Sequence, residues 1–268
     1  MTMKKVLLIA AAAMFSLAAI AQPKVIAHRG FHAKKGSCRN SIEALKQAQK
    51  MKLYGSECDI NMTADGVIVV AHGYLHPDKI YRKGEDIPRL NIQKSTYAEL
   101  QTIPLENGEL MPTLEQYLEQ LKKSNKTKLI IEIKNHATPA KETEIVQKTI
   151  EMVAKHGLND MVEYIAFRPW ICFELERLVP KGTPISYLNG DYDPTYVEGM
   201  GITGIDYKLT VLQKKPKWIK QCQKKGLTVN VWTVDKEEDL RWVIEQGVDY
   251  ITTDDPVLAT KLIKEMCK

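Results

Sequence analysis

The feature that most constrains this chain is an alternation. After Pro23, short β-branched runs give way to longer stretches with helical spacing of apolar residues, and the pair repeats eight times. The strand-like runs are 25–27, 55–60, 129–134, 162–167, 184–188, 204–207, 228–232 and 250–252. The helical stretches are 41–51, 113–123, 141–156, 170–178, 194–199, 216–225, 236–246 and 256–266. Strand and helix alternating along a whole chain imply a parallel sheet, and eight units predict closure into an α/β (β/α)8 TIM barrel. An open doubly wound sheet would want a GxGxxG turn after its first strand, and none follows Ala27.

Local chemistry sets several boundaries. Lys155-His156-Gly157, Lys225-Gly226 and Gln246-Gly247 each close a helix with a glycine at or beyond its end. Asp255-Pro256 opens the last helix. Residues 73–112 break the rhythm with a polar insertion where a barrel needs only a short connection, and long insertions of this kind commonly wall a substrate site.

The first 21 residues read as a secretory leader rather than as part of the fold. Lys4 and Lys5 precede an apolar run over 6–20, and Ala19-Ile20-Ala21 supplies the small residues of a cleavage site. That run is about 15 residues, short of the ~20 that cross a bilayer. The expectation is an exported protein, periplasmic or secreted, whose mature chain 22–268 is one barrel domain without a membrane span. The net charge of +5 falls to +3 once Lys4 and Lys5 are removed, too mild to predict nucleic-acid binding, and the lysines read as solvated helix faces. None of the five cysteines forms a CxxC pair, so no structural zinc site is indicated. Export permits disulfides, but an odd count leaves one thiol unpaired within a monomer.

The chemistry-bearing residues lie at strand ends. Residues two apart on a strand face the same side, so Glu57 and Asp59 point one way and Cys58 the other. Two carboxylates inside a barrel need a cation between them or partners in ion pairs. Glu132 and Lys134 repeat that parity, as active-site groups or as a buried ion pair. Three carboxylates from two strands form an oxygen-only site suited to one divalent cation, Mg2+ or Ca2+. His28 ends the first strand beside Arg29, whose guanidinium matches a phosphate fork, and Gly30, which permits a tight turn. His72 ends the apolar run 67–71, and two histidines can act as proton acceptor and donor across a phosphorus centre. His32 and His76 read as loop residues, and His136 and His156 lack a catalytic setting. Trp232 either packs over a substrate or fills the barrel mouth, and Asp254 and Asp255 read as caps of the last helix.

These segments together resemble the glycerophosphodiester phosphodiesterase family. The resemblance rests on Ala27-His28-Arg29-Gly30, Asn40-Ser41-Ile42-Glu43-Ala44, Glu57-Cys58-Asp59, 69–72, Ile131-Glu132-Ile133-Lys134, Tyr187-Leu188, Val231-Trp232-Thr233-Val234-Asp235 and 247–256. It implies a TIM barrel with a small insertion after the second strand, and cleavage of glycerophosphodiesters to glycerol 3-phosphate and an alcohol. It implies acid/base roles for His28 and His72, phosphate contact by Arg29, metal ligation by Glu57, Asp59 and Glu132, and substrate contact by Lys134 and Trp232. The chain departs from the family at Gly73, where Asp is usual, at Cys38-Arg39, where Pro-Glu is usual, and at Ala166, where Ser is common. These departures bear on the choice of alcohol more than on the chemistry, and Arg168 is a candidate second cation near the phosphate. Two alternatives share the same constellation: a phospholipase D-like lyase that releases a cyclic phosphate, and a non-catalytic barrel that binds a phosphorylated ligand. The partner expected in each case is a small molecule, and the sequence leaves the oligomeric state open.

Overall fold

The computed structural model describes residues 22–73, 90–124 and 126–267. The expected leader and part of the insertion, including His76, lie outside them. Eight parallel strands form the barrel: β1 (Lys24–Ala27), β2 (Gly55–Met62), β4 (Lys128–Ile133), β5 (Val162–Ala166), β6 (Ile185–Tyr187), β7 (Gly204–Lys208), β8 (Thr228–Trp232) and β9 (Tyr250–Thr253). Pairing of β1 with both β9 and β2 closes the sheet on itself. All eight expected barrel strands are present. A ninth strand, β3 (Ile68–Val70), is the run that ends near His72; it pairs antiparallel with the end of β2 and stands outside the barrel cycle. His72 therefore follows a hairpin arm rather than a barrel strand.

Helices return the chain between barrel strands. They are α1 (Ile42–Lys50), α3 (Leu114–Leu121), α4 (Pro139–Lys155), α5 (Pro169–Leu178), α6 (Pro194–Gly199), α8 (Lys217–Lys225), α9 (Glu237–Gln246) and α10 (Pro256–Met266). Two short helices were not expected: α2 (Tyr97–Leu100), within the insertion, and α7 (Leu209–Lys214), directly after β7. The caps follow from side-chain chemistry. Ser41 accepts from the Ala44 N–H at the start of α1, and Asp255 accepts from the Leu258 N–H at the start of α10. Gly247 ends α9 at φ 68°, a left-handed conformation that costs a side chain little only when it is absent.

Strand parity builds two cores. Outward residues such as Cys58, Ile60, Ile131 and Val231 pack under the helices. Inward residues Ile26, Ile130, Ile165 and Leu188 fill the barrel centre, with Tyr54, Phe167, Trp232 and Tyr250 against them. Below this layer the amino-terminal end is plugged by Tyr54 and Tyr250, 5.1 Å apart, with the Lys24 ammonium 4.6 Å from the Tyr54 ring and Lys128 paired to Glu163 at 3.0 Å. The described part of the insertion packs Ile92, Leu100, Ile103 and Met111 into a small core against Val69 of β3. All five cysteines are free, four of them buried, so packing rather than disulfide bonding holds this fold. Among the described residues no helix is long and apolar enough to cross a membrane.

Gly204 shows how tightly the barrel closes. A Cβ there would lie 2.6 Å from the Thr228 carbonyl oxygen and 2.1 Å from its hydroxyl, both on the neighbouring strand. Overpacking of this kind costs about 1–3 kcal/mol. Gly204→Ala is expected to lower unfolding free energy by that amount in urea denaturation at unchanged slope; an unchanged midpoint would mean that β7 and β8 are less closely apposed.

Candidate active site

The carboxyl ends of the barrel strands converge on one acidic centre. Register places Asp59 directly opposite Glu132 across the β2–β4 pair, and Glu57 lies one inward position below Asp59. All three side chains are buried, and each offers an oxygen within 4.8 Å of the others. Burial pushes the Glu57 carboxyl well up, with repulsion from Asp59 and Glu132 adding to it. Burial and the charge of Asp59 likewise raise Glu132 to about 7. Burial would also raise Asp59, but Lys134, Arg29, His72 and the amide of Asn40 more than offset it and hold this carboxyl low.

The cluster is braced by specific contacts. The Arg29 backbone N–H donates to Glu57 Oε2 at 2.7 Å, and the Arg29 guanidinium lies 3.2 Å from Asp59 Oδ2. Lys134 reaches between the two strands, 2.9 Å from Asp59 Oδ1 and also paired to Glu132. The expected Glu132–Lys134 ion pair thus forms within the acidic cluster. Asn40 clasps Asp59 twice: its amide donates to Oδ2 at 2.8 Å and its carbonyl accepts from the Asp59 N–H at 3.2 Å. Glu57 Oε1 is buried and has no hydrogen-bond partner. An orphaned carboxylate oxygen beside two further carboxylates is the donor set of a hard divalent cation, so these residues fit one.

The loop that carries His28 is held as closely. Arg29 adopts φ 54° and Asn40 φ 59°, left-handed conformations uncommon for residues with side chains. Gly30 at φ 77° lets the turn press onto α1, where a Cβ would come within 2.5 Å of the Ala44 Cβ. His28 Nδ1 lies 2.7 Å from Asp254 Oδ1, and His32 Nε2 lies 3.0 Å from the same oxygen. Arg39 Nη2 approaches the other oxygen at 3.4 Å. Asp254 is therefore not a cap of α10, as the sequence suggested; Asp255 alone has that role. The β1–β9 register, Ala27 opposite Thr253, brings His28 and Asp254 together across 226 residues of chain.

His72 borders a cleft of about 340 Å3 lined by Asn61, Gly73, Asn91, Gln93, Glu132, Lys134, Asn135 and Phe167. Burial lowers the His72 imidazole to about 4, with Lys134, Arg29 and His28 adding to that and Asp59 opposing it, so the ring is neutral near pH 7. Gln93, from the insertion, donates to both Asn61 Oδ1 and the Asn135 carbonyl at 2.8 Å, tying the insertion to the cleft floor. Trp232 fills the mouth: its indole N–H donates to the Asp206 carbonyl at 2.8 Å, and its ring meets Phe167 edge-on at 5.8 Å. Arg168 turns away to pair with Glu142 at 3.3 Å and is not a second cation at the centre. His136 is structural. Its Nε2 accepts from the Met62 N–H, so Nδ1 carries the proton donated to the Lys134 carbonyl.

The site thus gathers the expected residues except Arg168, and adds Asn40, Asp254 and His32, whose contacts no local motif announced. An independent comparison agrees with this architecture. The model of the glycerophosphoryl diester phosphodiesterase family matches residues 28–258. A glycerophosphodiester phosphodiesterase of Caldanaerobacter subterraneus subsp. tengcongensis is 28% identical over 250 residues, covering 90% of this chain and 98% of that one. The crystal structure of a glycerophosphodiester phosphodiesterase from Parabacteroides distasonis superposes with a TM-score of 0.85 at 41% identity, over 92% of this chain and 99% of that one. A phosphodiesterase of Oleispira antarctica, solved in complex with the product sn-glycerol-3-phosphate, shares the fold at 19% identity, with a TM-score of 0.73 over 91% of this chain and 97% of that one.

The Asp254 contact fixes one ring tautomer. In 15N NMR spectra the neutral His28 ring is expected to carry its proton on Nδ1, and Asp254→Ala is expected to shift it toward Nε2. An unchanged tautomer ratio in that variant would deny Asp254 its orienting part.

Proposed function

The chain belongs to the glycerophosphoryl diester phosphodiesterase family, and on that premise we propose that it hydrolyses glycerophosphodiesters to glycerol 3-phosphate and an alcohol, with His28 and His72 as its acid/base pair. The observation that carries this reading is the convergence of three buried carboxylates, two cationic side chains and two histidines at one mouth of the barrel. Glu57, Asp59 and Glu132 would hold one divalent cation, Mg2+ or Ca2+, which when bound supplies positive charge for the phosphoryl oxygens.

The remaining work falls to the chain's own side chains. Arg29 and Lys134 offset the charge that builds on the non-bridging oxygens of the diester. His72, neutral near pH 7, takes the proton of the attacking water. His28, with Nδ1–H held by Asp254, leaves Nε2 free, and the ring that carries a proton on Nε2 as well delivers it to the leaving alcohol oxygen and keeps the Nδ1 proton. Asn40 keeps Asp59 in register with Glu132, and Trp232 and Phe167 wall the mouth so that the diester meets a partly dry surface. The sn-glycerol-3-phosphate found in the Oleispira antarctica relative is the product this reaction would leave. Export through the 1–21 leader would place the reaction in the periplasm or the medium.

Acid/base groups of this kind contribute roughly 10²–10⁴-fold in rate. His28→Ala is expected to lose activity by that factor while its thermal midpoint stays near that of the parent; retained turnover would remove His28 from the reaction. Chelation with EDTA should silence the enzyme and Mg2+ or Ca2+ should restore it, whereas turnover indifferent to chelator would separate the acidic cluster from catalysis. Phosphorus NMR is expected to show glycerol 3-phosphate as the first product. A cyclic phosphate ester would instead assign the attack to a substrate hydroxyl, and make the enzyme a lyase.

A further inference from the structure

The chain's net positive charge comes from one segment. Residues 208–225 hold seven lysines and no acidic residue, whereas the other 250 residues hold 31 Lys and Arg against 33 Asp and Glu. The lysines are thus concentrated, and without this segment the chain is slightly acidic. The fold then gathers the segment into a single stripe. Leu209 and Leu212 of α7 and Ile219 and Cys222 of α8 face the core, which turns Lys214, Lys217, Lys220 and Lys224 to solvent. Positions 217, 220 and 224 recur at helical spacing along one face of α8.

Neutralisation within the protein is slight. Among the described residues only Lys225 of the seven meets an acid, Glu198 at 2.6 Å. Lys215 lies instead over the ring of Trp218, 3.8 Å from its centroid, and Trp218 is half-buried against Tyr207. The stripe begins at the catalytic rim. Lys208 ends β7 opposite Trp232, α7 follows at once, and α8 then returns toward the amino-terminal end of the barrel.

We propose that this α7–α8 stripe docks the protein on an anionic phospholipid bilayer, beside the mouth of the site. Charge complementarity identifies the partner class, and two features favour lipid over nucleic acid. The cations are all lysines, compact point charges without the planar fork that reads base edges, and the one aromatic ring in the stripe is tilted against Tyr207 and covered by Lys215 rather than offered for base stacking. Lysines near an anionic leaflet each strengthen attachment by roughly five-fold. Attachment of this kind is reversible and weakens with salt.

Cosedimentation of the full chain with vesicles tests the surface. Binding is expected to vesicles of phosphatidylcholine and phosphatidylglycerol, not to phosphatidylcholine alone, and to fall as salt is raised. K214E/K217E/K220E is expected to lose at least about tenfold in vesicle affinity while hydrolysing a soluble glycerophosphodiester at the parental rate. K214R/K217R/K220R should keep the binding, which separates charge from damage to the helices. Both variants retain the same amino terminus, so the comparison reads the stripe alone. Equal binding by the charge-reversed and parental chains would overturn the proposal. So would no binding by the parental chain, or tighter binding to duplex DNA than to anionic vesicles at the same salt.

Discussion

Three carboxylates buried within 4.8 Å of one another are the constraint on which this site depends. Left alone they would repel and suffer the cost of leaving water, a burden of several kcal/mol per ion in a protein interior. The surroundings are organised against that cost. Lys134 bridges Asp59 and Glu132, Arg29 meets Asp59 with its guanidinium and Glu57 with its backbone N–H, and Asn40 holds Asp59 from both sides. The compensation is uneven. Asp59 is held ionised, whereas Glu57 and Glu132 are pushed toward their protonated forms and Glu57 retains an oxygen without a partner. A centre built in this way is short of positive charge, and a phosphodiesterase can use that shortage to hold a cation.

Barrel closure turns this local chemistry into a site. The β2–β4 register sets Asp59 opposite Glu132, and the β1–β9 register sets His28 beside Asp254. The β2–β4 pair joins strands that are neighbours in any case, whereas His28 and Asp254 meet only because the first strand pairs with the last. The layer of Ile26, Ile130, Ile165 and Leu188 below them excludes water from the barrel centre, and the Tyr54–Tyr250 plug seals the far end. The side chains at the strand ends therefore stand on a packed floor, and the described part of the insertion and the strand-end loops wall the cleft above it.

Much of this was legible in the sequence because it depends on short-range periodicity. Period-two parity alone placed Glu57, Asp59, Glu132 and Lys134 on inward faces, and the eightfold alternation gave the barrel. What escaped depends on contacts between distant segments. Asp254 looked like a helix cap because Asp255-Pro256 follows it, and only closure of β9 onto β1 reveals its partner His28. Asn40 stands beside the Ser41 cap and gives no sign of reaching Asp59 on β2. The run 67–71 reads as a strand end and is one, but its antiparallel pairing with β2 is set by the tight turn before it. Arg168 has the right strand-end position for a phosphate contact, yet Glu142 on α4 draws it away.

The central claim is that Glu57, Asp59 and Glu132 form one cation site at the reacting centre. Calorimetric titration of Mg2+ or Ca2+ into the metal-free chain measures it directly, run in buffers of different ionisation enthalpy so that proton release is counted. Burial and mutual repulsion favour the protonated forms of Glu57 and Glu132, with Glu132 raised to about 7, so a cation that binds there competes with protons. One ion per chain, proton release on binding, and loss of both signals in E57Q/E132Q are expected. Undiminished binding in that variant, or binding without proton release in the parental chain, would contradict that claim.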